Sequence, residues 1–332
     1  MRVTSTRNPA LRQTFVEAAA ANTPPDGGLY LPLLGSDGWT PFADVPALLD
    51  LPWRERATRL LARLLAPEVD ERTVEAMVDA AFDFPVVRRE IDPTFAALEL
   101  FHGPSLSFKD FGVRFLARVL AWLRARSGEE RPQIVLTATS GDTGAAVVHA
   151  FHRLPGFSVV VLYPAGRISP LQERQIATVG ENVQAFAVAG AFDDCQALVK
   201  QAFVDPQLRA QFELSSANSI NLGRLLPQAV YYAATSLEVW RRYGEVIGPV
   251  AASAADNCRA TQALLASSGD GRARSRERSS AARAPCPGGT TAAQSGPGAR
   301  TGDEREAESP RFREPERPPS RVRRPRAHED VP

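Results

Sequence analysis

Residues 134–163 read IVLTATSGDTGAAVVHAFHRLPGFSVVVLY. An apolar run of strand length (134–138) meets a small-residue turn (140–144), a helical stretch follows (145–152), and a second apolar run closes the unit (158–163). The alternation continues with a helix over 171–179, a strand over 183–188 and a helix over 195–203. Strands separated by helices in this way predict an α/β protein, an open parallel sheet with helices on both faces. In such sheets ligands collect at the carboxyl ends of strands, where loops lead into helix N-termini. That places Ser140, Gly141, Asp142, Thr143 and Gly144 at a candidate site. Two glycines let the backbone approach a ligand closely, and the helix start aims N–H groups at an anion. A capped tight turn with no guest is the other reading. The string is neither a Walker loop nor a G-x-G-x-x-G fingerprint.

Upstream, the pattern predicts helices over 46–66 and 71–82, a short strand over 95–101, and a helix over 110–124. That last helix carries Phe111, Phe115, Leu116, Val119 and Leu120 on one face. A turn-rich string at 24–32 leads into a short extended segment, a long amphipathic helix is expected over 224–243, and another strand over 246–250.

Only two lysines occur in this chain, Lys109 and Lys200, against many arginines. Lys109 lies between two phenylalanines in HGPSLSFKDFG (residues 102–112). An amine in an apolar pocket can lose its proton and attack a carbonyl, most commonly that of pyridoxal phosphate, to form a Schiff base. A buried stem with a solvated head is the alternative. His102 lies close enough in sequence to border such a site. SANSINLGRLLPQAVYY (216–232) places Asn218, Ser219, Asn221 and Arg224 where they suit a phosphate or carboxylate, or where Asn and Ser simply cap a helix. Asp193 and Asp194 read as helix-start acids.

Length suits about two domains. The three cysteines have no ligand-like spacing, the histidines show no metal pattern, and no metal is expected. No leader-like or membrane-spanning run is visible, so a cytoplasmic protein without membrane or nucleic-acid partners is the expectation. The net charge of +1 averages two unlike parts. Residues 251–332 have a single aromatic, no Lys and no Ile, and are dominated by Arg, Pro, Ser, Gly, Ala and Glu. Such a composition buries too little apolar surface to offset chain entropy, so a disordered, low-complexity tail is expected there.

SFKDF, TATSGDTGAA, PAGRISPLQERQIATVG, GAFDDCQ and SANSINLGRLLPQAVYY, with PPDGGLYLP near the start, together resemble the threonine synthase family, in the same order and at similar spacings. The resemblance covers residues 1–250. It implies a tryptophan-synthase-β-like fold, with a mainly helical N-terminal domain (1–94) and a catalytic α/β region (95–250), C-terminally incomplete. It further implies pyridoxal 5'-phosphate as cofactor and conversion of O-phospho-L-homoserine and water to L-threonine and phosphate. Lys109 would hold the cofactor and move protons. Ser140, Gly141, Asp142, Thr143 and Gly144 would hold substrate carboxylate and cofactor. Ser107, Asn218, Asn221 and Arg224 would bind substrate. A related phospholyase and an inactive remnant are the alternatives. After residue 250 the family's second glycine-rich loop does not follow, and the string that does is what a GC-rich gene yields out of frame. Poor folding and a weak hold on the cofactor phosphate are expected from that loss.

Overall fold

The computed structural model describes residues 1–33, 46–92 and 95–243. The strand expected over 246–250 and the tail over 251–332 lie outside these residues. The chain begins with a small antiparallel sheet of β1 (Arg2–Ser5), β2 (Gln13–Thr14) and β3 (Tyr30–Pro32), in the order β2-β1-β3. Helix α1 (Phe15–Ala21) starts at a capping box between Thr14 and Glu17. Glu68 ties this corner together: it accepts from the Met1 ammonium at 2.6 Å and from the N–H groups of Phe15 and Val16. Two helices, α2 (Trp53–Leu65) and α3 (Glu71–Ala81), follow. The expected helix over 46–66 is divided: a 3-10 turn occupies Pro46–Leu48 and α2 begins only after Pro52. Leu60, Leu61, Leu64 and Leu65 form the buried stripe of α2, and Asp70 caps α3 through the Thr73 N–H.

The strand expected over 95–101 is β5 (Phe95–Glu99), the second arm of an antiparallel hairpin with β4 (Val87–Asp92). This hairpin straddles the division expected at 94/95. Helix α4 (Lys109–Ser127) ends at Gly128, whose φ of +68° is the left-handed conformation that closes helices. Its Phe111, Phe115 and Val119 belong to a core built with α1, α2 and α3, whereas Val113, Leu116, Ala117 and Leu120 belong to the core of the parallel sheet. The single apolar face expected for this helix is therefore two faces. Both sides are buried because the helix lies between two cores.

The parallel sheet contains β6 (Gln133–Ala138), β7 (Phe157–Pro164), β8 (Val183–Val188) and β9 (Glu213–Ser215), in the order β8-β7-β6-β9. Between them run α5 (Asp142–Phe151), α6 (Pro170–Ala177), α7 (Phe192–Val204) and α8 (Pro206–Gln211). Strand order advances from β6 to β8, then returns to the far side of β6. With right-handed crossovers, α5 and α6 share one face and α7 lies on the other, where it packs on β6 and β7. The strand order reverses between β6 and β9, which run parallel, and beyond the strand ends at such a point is where ligands of open sheets bind. The loops leaving β6 and β9 are residues 139–141 and 216–221. These are the two polar strings singled out from the sequence.

The long helix expected over 224–243 is broken into α9 (Leu222–Leu225), a 3-10 turn (Leu226–Gln228) and α10 (Ala229–Tyr243). Pro227 has no N–H to extend the helical ladder. The carbonyl of Arg224 is met instead by the Gln228 side chain at 3.2 Å. Helix α10 then drives Tyr231, fully buried, edge-on against Phe111 of α4 with ring centroids 5.0 Å apart.

Candidate functional site

Lys109 is the first residue of α4, and its Nζ lies 4.7 Å from the centroid of the Phe108 ring. The ammonium donates to Asp142 Oδ2 at 3.3 Å, across 33 residues of sequence. Asp142 opens α5, so the 3.3 Å contact joins two helix N-termini. The turn between β6 and α5 is held by Thr139, a buried residue that the sequence reading passed over. Its Oγ1 accepts from the N–H of Gly141 (3.0 Å) and of Gly144 (2.8 Å) and donates to the Gly141 carbonyl (3.0 Å). Gly141 has φ +149°, a conformation closed to most residues, and a Cβ there would lie 2.5 Å from Gln172 Nε2. A Cβ on Gly144 would overlap the Thr139 methyl. Gly141 is thus required by its backbone conformation and Gly144 by close packing. The N–H groups of Asp142 and Thr143 belong to a first helical turn, which has no carbonyl one turn back to receive them.

The approach to Lys109 has a different construction. Asp110 is fully buried, and its Oδ2 accepts from the Ser105 N–H at 2.8 Å. Its Oδ1 is buried without a hydrogen-bond partner. Burial raises the Asp110 carboxyl to about 6, with the Ser105 hydrogen bonds opposing. Gly103 wraps this carboxyl so closely that a side chain there would strike it. Leu106, at the tip of the turn, has φ +56° and stays exposed.

Of the residues read as substrate-binding, Ser107 is buried with its Oγ 3.0 Å from Ser105 Oγ. Asn218 is exposed on the loop leaving β9, and Ser219 leans on it at 3.4 Å. Asn221 is the N-cap of α9. Its side chain is buried and committed: Oδ1 caps α9 through Gly223 N–H, and Nδ2 donates to Ala19 O at 2.9 Å. Arg224 stands inside α9. It is buried beside Gly112, one turn along α4 from Lys109, and its Nη1 donates to Ala217 O at 2.7 Å. Both side chains meet buried carbonyls, Asn221 that of Ala19 and Arg224 that of Ala217, and Asn221 also caps α9. His102 is paired with Glu99, its Nε2 3.0 Å from Glu99 Oε2. Asp194 caps α7 through the Ala191 N–H, as a helix-start acid should. Among the described residues no His/Cys/Asp/Glu group could hold a metal, and no helix is long and apolar enough to cross a membrane.

An amine at a helix start, facing a glycine-bearing anion turn at the reversal point of a parallel sheet, is where a covalently held, phosphorylated aldehyde would fit. The family comparison agrees: a profile described as pyridoxal-phosphate dependent enzyme matches residues 86–263. The chain belongs to this family. Its fold is the tryptophan-synthase-β type. Threonine synthase from Haemophilus influenzae is 45% identical over 232 residues, which are 70% of this chain and 53% of that protein. The crystal structure of threonine synthase from Escherichia coli superposes with a TM-score of 0.63 at 41% identity, over 72% of this chain and 54% of that one. A pyridoxal-phosphate-bound threonine synthase from Brucella melitensis gives a TM-score of 0.70 at 34% identity, over 80% and 57%. The chain spans about half the length of the curated relatives it matches.

Proposed function

We propose that this chain carries a threonine-synthase-type site, acting on O-phospho-L-homoserine with pyridoxal 5'-phosphate to give L-threonine and phosphate. The observation that carries the reading is the meeting of Lys109 with the 139–144 turn at 3.3 Å. The similarity to the threonine synthase of Haemophilus influenzae supplies the substrate. The cofactor, when bound, supplies an electron sink for charge that develops beside the amino group. Lys109 holds it and carries protons between neighbouring substrate carbons at Nζ. The N–H groups of Asp142 and Thr143, with the exposed Ser140 hydroxyl, receive the substrate carboxylate. Asn218, exposed on the loop leaving β9, would meet the departing phosphate, with Asn221 and Arg224 behind it on the same segment. A cytoplasmic setting belongs to this proposal; the buried free thiol of Cys195 is compatible with a reducing compartment.

Titration of the full chain with pyridoxal phosphate tests the reading. A visible absorption band, fixed to Lys109 by borohydride reduction and absent from Lys109→Ala, is expected. Phosphate release from O-phospho-L-homoserine, with threonine identified by mass spectrometry, completes it. Reductive labelling at Lys200 alone would overturn the assignment of Lys109. Release of a product other than threonine would redirect the activity to a related phospholyase. The same titration measures how tightly the cofactor is held, which the sequence of the tail leads us to expect is weak.

A further inference from the structure

Gln172 is the side chain that connects a third element to the lysine, and nothing in its sequence position as the third residue of α6 announces this. Its Nε2 donates to Asp142 Oδ1 at 2.6 Å, and Asp142 Oδ2 in turn accepts from Lys109 at 3.3 Å. The other end of the same carboxamide is also used. Oε1 accepts from the Ser169 N–H at 3.1 Å, while the Gln172 N–H donates to Ser169 Oγ at 3.2 Å. The two arms form the capping box that starts α6. The amide orientation is fixed by its partners, because an N–H faces one end and a carboxylate the other. The plane of the amide lies against Gly141, whose backbone leaves no room for a side chain between them.

We propose that Gln172 is a positioning residue: it fixes the Asp142 carboxylate so that Asp142 tethers the Lys109 ammonium. The proposal rests on Lys109 being the reactive amine of the site, and it deepens that reading by naming what sets the amine's place. Asp142 alone cannot do this, since its side chain is nearly half exposed and has freedom to rotate. With Oδ1 held by Gln172, its other oxygen is directed at Lys109. The start of α6 thereby communicates with the start of α4 through two hydrogen bonds and one carboxylate.

The test needs no cofactor, because the full chain has only two lysines. Acetylation with the N-hydroxysuccinimide ester of acetic acid, read by peptide mass spectrometry, gives a Lys109-to-Lys200 rate ratio with Lys200 as internal reference. An amine released from its carboxylate reacts faster. Gln172→Ala is expected to raise the ratio ~threefold and Asp142→Asn ~tenfold, the range of one charge-assisted hydrogen bond. The double variant is expected to match Asp142→Asn, because Gln172 acts only through Asp142. Ser169→Ala, which removes the capping hydroxyl and lowers stability comparably, is expected to leave the ratio unchanged. Should Gln172→Ala not fold, Gln172→Asn retains the amide with an arm one methylene too short to span both partners, and the same rise is expected. An unchanged ratio in the glutamine variants, or a further rise when Gln172→Ala is added to Asp142→Asn, overturns the proposal. Neither result depends on whether the chain binds pyridoxal phosphate.

Discussion

The loops that lead into α4 and α5 face the same problem and meet it by opposite means. Each must hold a short non-helical turn over a helix N-terminus within reach of the other. The loop before α5 uses a neutral hydroxyl, Thr139, that satisfies two N–H groups and one carbonyl, with glycines wherever the backbone is crowded. The loop before α4 uses a buried carboxyl, Asp110, with one oxygen unmet, and a leucine in a left-handed conformation. The first arrangement is satisfied at any pH. The second carries strain and a titrating group next to the lysine. Lys109 therefore sits on the costlier of the two loops, and the glycine turn on the well-satisfied one.

The comparison can be broken most forcefully at Gly144. Gly144→Ala places a methyl into Thr139 and against Ile176, both in fixed positions, and is expected to cost about 3–4 kcal/mol in chemical denaturation. Next comes Asp110→Asn. The folded carboxyl is raised to about 6 from its usual value near 3.8. Between those values the folded chain keeps a proton that the unfolded chain has released, so stability falls as pH rises through the window and levels off above it. This slope amounts to about 3 kcal/mol at most, from roughly 1.4 kcal/mol per pH unit. Denaturation midpoints measured across that window should decline with rising pH in the parent and lose this component in Asp110→Asn. Thr139→Val keeps the shape and removes the oxygen, leaving the buried Gly141 N–H unpaired at about 2 kcal/mol, while Thr139→Ser should recover most of it. The smallest effect sharpens the contrast from the other side. Leu106→Asn relieves a left-handed leucine with a residue that tolerates that conformation, and should raise stability by about 0.5 kcal/mol.

How much of this was legible in advance depended on whether a feature was local. The strand over 183–188 stands where its apolar run placed it, and the helix over 71–82 ends one residue early. Strand β9 went unseen because three residues, ELS, carry no alternation and are defined only by pairing with β6. Strand β4 was hidden by its charged run, RREID, which suits a hairpin with most of its surface exposed. At the candidate site, residue type and context singled out Lys109 and the glycine turn, and the structure brings the two together at 3.3 Å. Asn221 and Arg224 could be read two ways for a physical reason: amides and guanidinium groups serve anions and buried carbonyls equally well, and their burial cannot be read from residue type. Gln172 had a local signal, the S-x-x-Q capping pattern at Ser169, but its reach to Asp142 exists only after α5 and α6 pack together.

Helix α4 has a consequence for how the molecule opens. Because one side of it completes the aromatic core and the other completes the sheet core, neither core can loosen while the helix stays fully buried. Amides along its middle, from Phe111 to Leu120, should therefore exchange with solvent only through opening of the whole described body. The N-terminal sheet and the β4–β5 hairpin lie outside that constraint and should exchange earlier. Lys109 stands at the N-terminal end of the segment expected to be most protected, so its helix should keep its register when the smaller sheets open.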